Sequence, residues 1–138
     1  VGPKWGTPVK EQYKILIADR NPHVREFLKR EMEAEGYDVR LAKNGREVLT
    51  WAYHQEQIDL LILDLNLPDE NELRIPEKLQ DRIPALPVVV HGFFSDYADQ
   101  PDIFNKTSVF FVEKKGNSVE RLKQLVSDIL QDSDQVCL

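Results

Sequence analysis

Four short apolar runs constrain the architecture of this chain: Ile15 to Ala18, Leu60 to Leu63, Val88 to Val90 and Val109 to Val112. Leu60 to Leu63 in particular shows no polar alternation, the pattern of a strand covered on both faces. Helix-patterned stretches separate the runs. If the runs are parallel strands, their carboxyl ends gather the residues that follow them. Asp19, Asp64 and Lys114 then share one pocket, and His91-Gly92 closes the fourth run at the same edge.

The intervening stretches carry recognisable helix punctuation. Asn21 and Pro22 supply an N-cap and a first-turn proline, the apolar stripe Val24, Phe27, Leu28 and Met32 follows, and Gly36 marks the end. Tyr37 to Ala42 reads as a further strand. Asn44-Gly45 opens a helix expected to direct Val48, Leu49, Ala52 and Tyr53 toward the core, and a third helix is expected to be entered near Pro76. Pro101 interrupts Ser95 to Lys106, so a helix there should be short, broken or mobile. Ser118 caps a last helix bearing Val119, Leu122, Leu125, Val126, Ile129 and Leu130. Residues 1–12 read as a flexible leader, 13–131 as one domain and 132–138 as a polar tail.

Five alternations of strand and helix, joined by right-handed crossovers, give an α/β fold: a doubly wound parallel sheet with helices on both faces. Ligands in such sheets sit at the carboxyl ends of the strands beside the switch point. Asp19, Asp64, Gly92 and Lys114 all fall there.

Composition narrows the partners. At 138 residues the chain has one core to bury, and no apolar stretch approaches the roughly 20 residues of a membrane span. A net charge of −6 argues against binding a bare phosphate backbone. Proteins are therefore the expected partners, with neither nucleic acid nor membrane; a homodimer is left open. Cys137, the sole cysteine, offers neither a disulfide framework nor a thiolate metal cluster and fits a reducing cytoplasm.

Four segments carry a family resemblance: KILIADRNPHVREFLKREMEAEGYDV, NGREVL, DLLILDLNLPDENEL and FFVEK. In this order and at this spacing they resemble the receiver domain of two-component response regulators, from Lys14 to about Leu130. The resemblance implies a flavodoxin-like five-stranded sheet of order 2-1-3-4-5 and a role in phosphorelay signalling. By the same resemblance Asp64 is the phospho-acceptor and Lys114 contacts the phosphoryl group. Asp19, Asp64 and the Asn66 carbonyl would hold Mg²⁺, while Gly92 and Phe111 occupy the switch-hydroxyl and switch-aromatic positions. A sensor histidine kinase or another signalling protein is the implied partner. Catalysis would be limited to self-catalysed phosphoryl transfer onto Asp64.

Several residues depart from the family pattern. Arg20 stands where a second acid usually ligates Mg²⁺, which removes a ligand and changes the local charge by two units. At about 4 Å and an effective dielectric near 20, a unit-charge interaction is worth roughly 4 kcal/mol, so Arg20 facing the pocket weakens Mg²⁺ binding; its guanidinium could pair with Asp64 instead. Gly92 has no hydroxyl to move, and Phe93 replaces a usually small residue. Glu72 stands where a glycine usually closes the acceptor loop, which would strain the backbone if φ is positive there. Lys115 replaces the usual proline after the lysine.

Three functions compete on this pattern. The first is a receiver whose acceptor survives while its metal site and hydroxyl switch are compromised, Mg²⁺ binding being weak. The second is a conventional Mg²⁺-dependent receiver phosphorylated by a histidine kinase. The third is a flavodoxin-like enzyme or nucleotide binder, disfavoured because Arg20-Asn21-Pro22 stands where a glycine-rich phosphate loop would follow the first strand. His23 and His54 lack ligand spacing, and His91 reads as a strand-end histidine.

Overall fold

The computed structural model describes residues 12–54, 56–82, 84–97 and 108–135. Most of the expected leader, Pro101 with the segment around it, and residues 136–138 lie outside the described residues. Five strands, β1 (Lys14–Ala18), β2 (Asp38–Ala42), β3 (Leu60–Leu63), β4 (Val88–Gly92) and β5 (Val109–Glu113), pair in parallel in the order β2-β1-β3-β4-β5. This is the doubly wound, flavodoxin-like order expected from the sequence.

Helices cover both faces. Leu16, Ala18, Leu61, Leu63, Val88 and Val90 pack on one side against α2 (Gly45–His54) and α4 (Ile75–Gln80), through Val48, Ala52, Ile75 and Leu79. On the other side Ile15, Ile17, Leu60, Ile62, Val89 and Val112 meet α1 (Pro22–Ala34) and α6 (Ser118–Gln135), through Leu28, Met32, Leu122, Val126 and Leu130. Alternate residues of each strand thus enter different apolar layers, which explains why both kinds of position had to be apolar.

Helix α1 begins as its sequence dictates. Asn21 caps it by accepting from His23 N at 2.9 Å, Pro22 opens the first turn, and Gly36 takes φ +97° just beyond the end. Two expected core aromatics lie elsewhere: Phe27 and Tyr53 are exposed. Each sits at the margin of its helix's apolar stripe, and the Tyr53 hydroxyl donates to Lys78 O at 3.0 Å. A stripe fixes the direction a helix faces, but its outermost members need not reach the core.

The helix expected to be entered near Pro76 is α4, with Pro76 in its first turn, and a further short helix not expected from the sequence, α3 (Glu70–Leu73), precedes it, the two separated by Arg74 at φ 50°, ψ 61°. Among the described residues this is the one non-glycine with positive φ. Glu72 lies within α3, so the strained position is Arg74 and not Glu72. After β4 the structure has a short helix α5 (Phe94–Tyr97), and α6 continues to Gln135, past residue 132 where the polar tail was expected.

Candidate functional site

The register brings the site together. Ala18 pairs with Leu63 and Leu63 with Val90, so Asp19, Asp64 and His91 stand side by side one step beyond these pairs. Lys114 follows the end of β5, and its backbone N donates to Gly92 O at 2.8 Å. The edge therefore holds two acids and one amine, as the strand ends require.

Both acids are deeply buried, each about 2% exposed, and each is already engaged. Asp19 Oδ1 accepts from Asn21 N at 2.9 Å and its Oδ2 from Lys114 Nζ at 3.1 Å. Arg25, one turn into α1, donates from Nη1 to the Asp19 carbonyl at 2.6 Å and fixes the loop from behind. Asp64 Oδ1 accepts from Asn66 N at 2.9 Å, and Oδ2 from Arg20 N at 3.3 Å. The Arg20 side chain also turns toward this carboxylate, with Nε 3.9 Å from Oδ2, although it is 60% exposed.

The four side chains sum to no net charge: Asp19 and Asp64 against Arg20 and Lys114. Mg²⁺ is a hard cation that prefers several oxygen ligands in an octahedral shell. Among the described residues no three His, Cys, Asp or Glu side chains cluster suitably for a metal ion. Two carboxylates and the Asn66 carbonyl are a reduced donor set, and a guanidinium beside one carboxylate opposes an incoming divalent charge.

The residues expected at the switch positions, Gly92 and Phe111, lie on the neighbouring strands β4 and β5. Gly92 is the last residue of β4 and buried, with no side chain to reach Asp64. Phe111, half-buried on β5, makes an edge-to-face contact with Phe94, ring centroids 6.2 Å apart. Phe93 and Phe94 are both exposed beside it. His91 is buried, its Nε2 3.1 Å from Ser118 Oγ and its Nδ1 unpartnered. Burial, helped by the nearby Lys114 charge and opposed by Asp64, lowers its pKa to about 4, so the imidazole is neutral at pH 7.

Residues 15–127 match the family model of the response regulator receiver domain. The chain is a response regulator receiver domain. Over 78 residues the receiver is 37% identical to the sensor protein EvgS of Escherichia coli K12, a match covering 56% of this chain and 6% of EvgS. The chain thus spans a small fraction of that relative's length. Among solved structures, it resembles the response regulator TrrA of Thermotoga maritima in complex with Mg²⁺-BeF, at 28% identity and TM-score 0.72, over 84% of this chain and 97% of that one. A protein described among redox sensors of the streptococci that evolved from two-component response regulators aligns at TM-score 0.78 and 25% identity, over 90% of this chain and 53% of the other. The receiver's place is in two-component signalling, and no helix among the described residues is long and apolar enough to cross a membrane.

Three residues at or near the site gave little sequence signal. Arg25 holds the Asp19 carbonyl but reads as a surface helix residue. Asp69, directly before α3, accepts from Gly45 N at 2.6 Å and Arg46 N at 3.1 Å, so it caps α2 from 24 residues away. Glu70 is buried although it lies in the polar run Pro68 to Glu72.

Proposed function

We propose that this receiver keeps Asp64 as an acceptor-type carboxylate while its metal site and hydroxyl switch are impaired, so that it signals through protein contacts without depending on phosphorylation. The carrying observation is the Arg20 group on Asp64, with N 3.3 Å and Nε 3.9 Å from the same carboxylate oxygen. A cation beside Asp64 holds the acceptor loop in one state, where a metal would otherwise make that state conditional.

Mg²⁺, when bound to a receiver, offsets the repulsion between carboxylate and phosphoryl group. In this chain Asp19, Asp64 and the Asn66 carbonyl would hold it, weakly. Lys114 is the residue for a phosphoryl oxygen, but its ammonium is already paired with Asp19. The partner is a sensor histidine kinase or another signalling protein, met at the β5 edge where Phe93 and Phe94 are exposed, and the setting is cytoplasmic.

A second reading, conventional Mg²⁺-dependent phosphorylation, is favoured by the exposure of Arg20, whose guanidinium can swing out of the pocket. In that reaction an Asp64 oxygen attacks phosphorus as the bond from phosphorus to the kinase imidazole breaks. Incubation with Mg²⁺ and a small phosphodonor, followed by intact mass, separates the two. The impaired-site reading expects little adduct; rapid stoichiometric modification that disappears in Asp64→Ala would refute it. Arg20→Asp should raise Mg²⁺ affinity sharply under the first reading and barely under the second.

A further inference from the structure

The corner between α3 and α4 contains a buried acid outside the acceptor pocket. Glu70 is 7% exposed, and its Oε1 accepts a single backbone bond, from Ile75 N at 3.3 Å. Its own carbonyl accepts from Arg74 N at 2.8 Å, so one residue spans both sides of the left-handed Arg74 turn. Ile75 and Leu79, wholly buried, form the floor beneath this corner. An ionised carboxylate held there by one long hydrogen bond from a backbone N–H is poorly compensated for lost water.

The surrounding charges do not make up the deficit. Burial pushes the Glu70 pKa up to about 7, against the pull of the Ile75 N–H; Asp69 and Glu77 push it further up, and Arg74 pulls it down. Arg74 is itself committed to Glu77, Nη2 to Oε1 at 2.5 Å. From α2, which packs against α3, the first-turn charges are Arg46 and Glu47, and the Glu47 carboxylate accepts from Lys43 N. From α4 the remaining charge is the exposed Lys78.

The corner is linked mechanically to the acceptor loop. Asp69, adjacent to Glu70, holds the first amides of α2, and Glu70 N donates to Leu67 O at 3.2 Å, one residue past Asn66. Any outward movement of α3 must therefore pull on the loop that carries Asp64.

We propose that Glu70 is a proton-operated latch: protonated, it keeps the α3–α4 corner closed on the core, and on losing its proton it draws α3 outward toward water, loosening the Asp69 cap on α2 and the Asp64 loop. The device works through solvation of one carboxyl group and is independent of whether Asp64 is ever phosphorylated. It makes the conformation of the acceptor loop respond to pH over the range in which cells vary.

The test is a pH titration of the whole chain from 5.5 to 8.5, following the Glu70 side-chain carboxyl by carbon NMR and the backbone amides by nitrogen-resolved spectra. The expected result is a Glu70 midpoint near 7, with the Ile75, Gly45 and Asn66 amides moving at the same midpoint. In Glu70→Gln those amide steps should vanish, the peaks resting at their low-pH positions. Glu70→Met, which suits the apolar surroundings, serves if the amide variant folds poorly. A carboxyl midpoint near the ordinary 4.5, amide steps that survive in either variant, or a step at Ile75 with Gly45 and Asn66 stationary would each overturn the latch.

Discussion

Lys114 reaches from the end of β5 across the sheet edge to Asp19 at the end of β1, its Nζ donating to Oδ2 at 3.1 Å. The acid is almost fully buried and the lysine about one fifth exposed. This bond ties the first and last strands of the site together while taking the ammonium away from Asp64.

Removing the lysine alone should therefore be costly. In Lys114→Met, Asp19 keeps its hydrogen bond from Asn21 N but loses its cation, and breaking one side of such a pair costs about 2–4 kcal/mol, discounted for the partial exposure of the lysine. The double variant Asp19→Asn, Lys114→Met should recover much of that loss. Urea midpoints of the three proteins check this, and equal losses in single and double variants would show that the pair is not coupled.

Gly45, at the start of α2, lies tightly against the α3–α4 corner. A Cβ there would lie 2.9 Å from Asp69 Oδ1 and 3.1 Å from Ile75 side-chain carbons. Asp69 cannot retreat without releasing Gly45 N, so Gly45→Ala should cost about 1–3 kcal/mol, the range for overpacking a filled site. Thermal or urea unfolding checks this, and a stability equal to that of the parent would mean the corner yields freely.

Arg74 is held in a conformation that disfavours side chains. A non-glycine residue at φ 50° carries roughly 1 kcal/mol of strain, whereas its exposed pair with Glu77 is worth well under ~1 kcal/mol. Arg74→Gly should thus leave stability unchanged or raise it by a few tenths of a kcal/mol, since glycine's added chain entropy offsets part of the relief. A clear destabilisation in urea would assign the arginine a contact beyond Glu77.

How far these features could be read in the sequence depends on whether their cause is local. The strands, the caps of α1 and the placing of Asp19, Asp64 and Lys114 at one edge follow from apolar runs and the residues that end them. Arg20 stood out because one cation interrupts an acidic loop, and its approach to Asp64 is a neighbour effect. Phe27 and Tyr53 misled because helical periodicity gives direction without depth. Glu70, Asp69 and the break at Arg74 were hidden for another reason: Pro68 to Glu72 looks like a solvated loop, and only packing against α2 and Ile75 buries one of its acids. The family resemblance supplied residue roles at the edge, but none at this corner.

Two buried groups should give the chain's stability opposing responses to pH. His91 has its folded pKa lowered to about 4 from 6.5, so the unfolded chain takes up the proton first. Its contribution is present above pH 6.5 and is lost as pH falls toward 4, up to about 3 kcal/mol in all. Glu70 has its folded pKa raised to about 7 from 4.5, so the folded chain holds the proton more tightly. Its contribution is present below pH 4.5 and is lost as pH rises through 7, again up to about 3 kcal/mol. Between pH 4.5 and 6.5 the two slopes largely cancel in the parent protein and should separate in single variants. In His91→Leu, stability should fall with rising pH across that interval, and in Glu70→Gln it should climb. Urea unfolding at half-unit pH steps measures both, and variants whose profiles run parallel to the parent's would remove both residues from the pH response.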